Sequence, residues 1–158
     1  MIPGLSPKNL TLAAVAALLF LVSVPRVHQL AVQDNQRDAQ SALRALAKAA
    51  FQDPPEASAT PRELSVALSE RLRDVRYHEP SGLIQRHGYF FEASSTPGGL
   101  ELIRAWPVDY GETGVFAYVM GSDASLRTHK NVEAAWSGAS SERPTGEERG
   151  WFETDSAR

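Results

Sequence analysis

From Leu10 to Val24 the chain reads LTLAAVAALLFLVSV, apolar at every position but Thr11 and Ser23, and Pro25 and Arg26 close the run. A full bilayer crossing takes roughly 20 apolar residues, whereas runs of about 10–14 more often belong to core helices or signal peptides. Three readings meet this segment. As a cleaved signal peptide it would use Lys8 as its charged start, but no good small-x-small cleavage site precedes Arg26, and Pro25 directly follows Val24. As a core helix it would need more apolar chain around it than the remaining sequence offers. The expectation is therefore an uncleaved anchor over residues 1–26, carried by Leu10, Leu12, Val15, Leu18, Leu19, Phe20, Leu21 and Val24. Val27, Leu30 and Ala31 extend its apolar length, with tilt or local thinning supplying the rest.

Helical chemistry continues from Val27 to Phe51 without glycine or proline. Leu30, Ala39, Leu43, Leu46, Ala50 and Phe51 fall on one side, while Arg37, Asp38, Arg44 and Lys48 take other faces. One long helix is predicted, kinked at Pro25 and amphipathic beyond it. Asp53, Pro54 and Pro55 stop it. Thr60-Pro61-Arg62-Glu63 then reads as a capping box opening a second, short helix, with Leu64, Ala67, Leu68, Leu72 and Val75 on its apolar face.

After Arg76 the period changes to two. HGYFFEAS (87–94) places Tyr89, Phe91 and Ala93 on one side, and Ser95–Gly99 is a turn. LELIRAW (100–106) is the partner strand, with Ile103 and Ala105 inward and Pro107 at its end. VFAYVM (115–120), with Phe116 inward, makes a third strand, and Ser125–Thr128 a short fourth. From Ser137 the chain is rich in Ser, Glu, Gly, Arg and Pro and reads as disordered. Gly150-Trp151-Phe152 interrupts that pattern, as a docking motif or as an accident of composition. The fold class expected is α+β: an anchored helix, a short helix, a small antiparallel sheet of three or four strands and a disordered tail. Its divisions are 1–26, 27–136 and 137–158.

The formal charge of −3 over 158 residues shows no basic stripe for nucleic acid. The lack of cysteine removes disulfides, thiolate metal sites and thiol nucleophiles. Flanking charges (Lys8 against Arg26, His28 and Arg37) leave orientation open.

An apolar segment ending in Val24-Pro25, a polar stretch and then SALRALAKAAF (41–51) resembles the N-terminal helix of type IV pilins and type II secretion pseudopilins. The terminal sheet is similar again: Gly88, Tyr89 and Phe91, then Ala105 and Pro107, then Thr113-Gly114 and Phe116, in the family's order. The glycine–glutamate start of that family is not matched. Asn9-Leu10-Thr11-Leu12 lacks both residues, and alignment on Pro25 puts Lys8 where the glutamate would stand. Ser122-Asp123-Ala124-Ser125 replaces the family's final Asp-x-x-Gly turn. The resemblance implies a non-catalytic, single-pass subunit of a pilus-like or secretion apparatus. It would sit in the bacterial inner membrane with its sheet periplasmic, and its partners would be lipid and pilin-like subunits. The alternative is a tethered extracytoplasmic binding or accessory domain outside any filament.

Catalytic and metal chemistry is weakly signalled, and no catalytic residue, cofactor or metal is expected. His78-Glu79 and His87 could converge on a metal, and Glu92 and Glu101 could face each other as paired carboxylates. Surface and strand-end positions explain both sets more simply. Trp106, Tyr110, Phe116 and Tyr118 could form an exposed aromatic patch, though ordinary packing accounts for them better.

Overall fold

Pro7 opens the helix α1 (Pro7–Gln52), where its missing N–H costs nothing. A computed structural model describes residues 7–52, 66, 70, 72–78, 81–96, 99–132, 136–139 and 142–154. The chain divides into two units, Met1–Ala31 and Val32–Arg158, and the division falls within α1. Alanine, leucine and glutamine carry α1 through without glycine. Pro25 lies inside it and removes one helical N–H, yet helix continues on both sides.

In the second unit α1 buries a stripe of Ala39, Ala42, Leu43, Leu46, Ala47 and Ala50. Phe51 packs partly buried beside it. Leu30, expected on that stripe, is exposed. Most of the predicted second helix lies outside the described residues. Of it, Val66 is helical and accepts a bond from the Glu70 N–H at 3.2 Å, and Leu72 and Val75 pack on the core.

The sheet has seven strands, not three or four. They are β1 (Arg76–His78), β2 (Leu83–Arg86), β3 (Tyr89–Thr96), β4 (Gly99–Pro107), β5 (Ala117–Gly121), β6 (Leu126–His129) and β7 (Phe152–Glu153). Their spatial order follows the chain, and every neighbouring pair is antiparallel. The additional strands β1, β2 and β7 are 3, 4 and 2 residues long, too short to show an alternation. His87 and Gly88 belong to the turn before β3, both with positive φ.

Both faces of the sheet are covered. Ile84, Tyr89, Phe91, Ala93, Ile103, Ala105, Tyr118, Met120 and Leu126 meet the α1 stripe. Leu83, Phe90, Trp106 and Ala117 form a second core with Trp136, with Val108, Ala139 and Trp151 against it. That second cover corrects the expectation of a disordered tail. Among the described residues, 136–139 and 142–154 form a strap on the sheet that ends in β7 beside β6.

Candidate functional site

The first unit's described helix is apolar and bare. Leu12, Phe20 and Leu21 are 72%, 70% and 69% exposed, and Val15, Leu18, Leu19, Val24, Val27 and Leu30 are exposed as well. Leu10 lies in the same helix. The described helix is long and apolar enough to cross a membrane by length and composition, and none of its most apolar 18-residue window is buried. Leaving these nine side chains in water forgoes on the order of 10 kcal/mol of burial. That is comparable with the entire stability of an ordinary domain. A surface of this kind is a candidate site in itself.

The second half of α1 is fixed to the sheet by polar as well as apolar contacts. Arg86 grips Asp38 with two hydrogen bonds, 2.9 Å from Nε to Oδ2 and 2.8 Å from Nη2 to Oδ1. His87 Nδ1 stands 3.1 Å from the same carboxylate. Asn35 Nδ2 donates to the Thr113 carbonyl at 3.1 Å. Two glycines permit this approach. A Cβ on Gly88 would fall 2.7 Å from Thr113 Cβ and 2.9 Å from Asn35 Nδ2, and one on Gly114 2.1 Å from Tyr89 Oη. Tyr89 donates to the Phe116 carbonyl at 3.1 Å, and burial pushes its phenol pKa up, so it stays protonated.

The strap is held by its backbone. Trp106 Nε1 donates to the Gly138 carbonyl, Arg104 to Pro144, Arg127 to Gly146 and His129 to Arg149, at 2.9–3.1 Å. Glu92 stands opposite Arg104 in the ladder. Arg104 Nε lies 2.9 Å from Glu92 Oε2, a charge contact whose N–H is not aimed along a hydrogen bond. Arg143 of the strap adds a second cation at 3.4 Å and lies over the Trp106 ring at 5.1 Å. Trp136 and Trp151 stack at 5.7 Å. Glu148 closes the turn of the strap, accepting from the backbone N–H groups of Thr145 and Gly146 and from Trp151 Nε1. Burial pushes its carboxyl up, but these donors outweigh that and hold it at about 2.

Tyr89, Phe91, Ile103 and Ala105 are buried on the α1 side, as their alternation implied. Phe116 is partly buried against the same core, one residue before β5 rather than within it. The aromatic patch does not form. Trp106 belongs to the strap side, Phe116 and Tyr118 to the α1 side, and Tyr110 to the loop bridged to Gly114. Glu92 and Glu101 do not face each other. Glu101 is the extra residue of a bulge, since Ser94 pairs with Leu102 and Ser95 with Leu100. His78 contacts Ser81, His87 contacts Asp38, and no metal-holding group of three such side chains occurs among the described residues.

Sequence reasoning missed the strap, whose apolar residues are too sparse to set a period. Thr145-x-x-Glu148, a capping-box spacing, was the signal available. The fold and site define a class, a helix-tethered antiparallel sheet covered on both faces. Compared with known protein families, curated proteins and solved structures, the chain shows no match.

Proposed function

We propose that this protein is a non-catalytic, membrane-anchored structural subunit of a pilus-like or secretion apparatus, similar to the type IV pilins and pseudopilins. It would sit in a bacterial inner membrane with the sheet in the periplasm. The observation that carries this reading is the change along one helix. Up to Ala31, α1 exposes its described apolar side chains, and from Ala39 it packs a stripe on the sheet. A tether needs the first half alone. A subunit that bundles its helices with others needs both, because the sheet must hold the helix firmly where it leaves the bundle. Acidic side chains of the second unit support a structural role too. Asp38, Glu92 and Glu148 are engaged in holding α1 or the strap in place.

One feature favours a second reading, a tethered accessory domain outside any filament. The first turn of α1 holds no acidic residue, and Lys8 stands there. A buried charge in a helix bundle is tolerable when paired, and a lysine would repel a neighbour's terminal amine.

Photo-crosslinkers placed at Leu18 and Leu21 in cell membranes separate the two. A structural subunit should crosslink there to membrane-spanning protein partners. Crosslinking to lipid alone would defeat that reading and leave the tether.

A further inference from the structure

His129 is buried at the end of β6, its ring 5.0 Å from that of Trp136 and 5.3 Å from that of Trp151. Its two nitrogens have opposite duties. The Asn131 backbone N–H donates to Nδ1 at 2.8 Å. Nε2 stands 2.9 Å from the Arg149 carbonyl oxygen, which can accept but not donate. Nδ1 is therefore bare and Nε2 carries the proton, which is the neutral imidazole. A proton added at Nδ1 would set two N–H groups against each other and leave the Asn131 amide without its acceptor. Asn131 is not free to turn away. Its backbone is left-handed, with φ of 59°, and its side chain is bonded both to the carbonyl and to the N–H of Trp136.

We propose that His129 is a proton-operated latch for the C-terminal strap, closed on the neutral ring and released when the ring is protonated. The latch is independent of the structural role proposed above. The closed strap accommodates the neutral ring, whereas the open chain accommodates either form, so protons favour opening. The strap is held while the ring is neutral and loosens as the ring takes up a proton.

Among the described residues, the charged groups on the elements around the ring are Arg127 of β6, Lys130 just after it, Glu142, Arg143, Glu147, Glu148 and Arg149 of the strap and Glu153 of β7. The β5 residue paired with His129 is the uncharged Ala117. Arg127 is bonded to the Gly146 carbonyl. Glu148 is committed to the strap's own turn, and its carboxyl, held at about 2, stays ionised throughout the imidazole range. It does not account for opening there. The indole faces attract a cation, but they offer no acceptor for a second ring N–H.

The test uses the full chain in detergent micelles. Hydrogen exchange, corrected for its intrinsic pH dependence, is followed from about pH 8 to about pH 4.5 for peptides covering 142–154 and 89–107. Strap exchange should rise, by up to about tenfold per pH unit, as pH falls toward the midpoint of the His129 ring signals in NMR and level off below it, with β3 and β4 still protected. His129→Gln, which cannot titrate, should hold strap exchange flat over the same range. Overturning results are a wild-type strap protected to the lowest pH, an opening midpoint unrelated to the ring's own titration, or unchanged pH-dependent opening in His129→Gln. If His129→Gln leaves the strap open at every pH, the wild-type match between ring titration and strap exchange decides the matter alone.

Discussion

Gly114 shows how closely single residues are fitted between helix and sheet. An added Cβ would lie 2.1 Å from Tyr89 Oη and 2.5 Å from Cζ, so the ring must leave its bond to Phe116. Gly114→Ala should cost about 1–3 kcal/mol, as overpacking does. Chemical denaturation of the full chain in micelles reads this, and an unchanged midpoint would show that the ring moves freely. Phe91→Ala should cost about 3–5 kcal/mol, because that ring is wholly buried against α1. A loss below about 1 kcal/mol would mean that the faces of β3 are reversed. Phe91 was legible in the sequence because Tyr89, Phe91 and Ala93 alternate with more polar neighbours at Glu92 and Ser94. Phe90 and Trp106 also read as apolar, but their burial depends on a strap far along the chain.

Among the elements, α1 was the most legible, since a helical run of this length states its own period. Where its buried stripe begins was not, because Leu30 and Leu43 look alike in sequence, and it is the reach of the sheet that buries one of them. The two halves should therefore respond differently to one change. Leu43→Asp should unfold the sheet unit, whereas Leu19→Asp should leave it folded and weaken membrane insertion by about 2.5–3.5 kcal/mol. Circular dichroism with membrane fractionation separates these outcomes, and an unfolded sheet in Leu19→Asp would contradict the division. The strap has its own acid dependence at Glu148. The folded carboxyl is lowered from an ordinary 4.5 to about 2. Its stabilisation is present above about 4.5 and lost as pH falls through about 2. In a His129→Gln chain, whose strap does not titrate with that ring, Glu148→Gln should loosen the strap at neutral pH and abolish that low-pH loss, as Trp151 fluorescence would report. An unchanged low-pH transition in the variant would assign it to another group.

At the scale of the whole molecule, helix first and antiparallel sheet second was readable, and the seven-stranded, doubly covered sheet was not. Runs such as YVM in β5 are buried on both sides, which hides the alternation that marks a one-sided sheet. The strap supplies the second cover with few apolar residues, relying on side chains of the sheet bonded to its carbonyls. Among the described residues, the apolar side chains of the first half of α1 are left exposed. Alkaline carbonate extraction of membranes from cells making the full chain tests whether that surface lies in lipid. We expect the protein to stay in the membrane pellet, and a chain carrying Leu18→Asp and Leu19→Asp to wash out with its sheet intact. Recovery of the unaltered full-length protein in the wash would contradict membrane anchoring by α1.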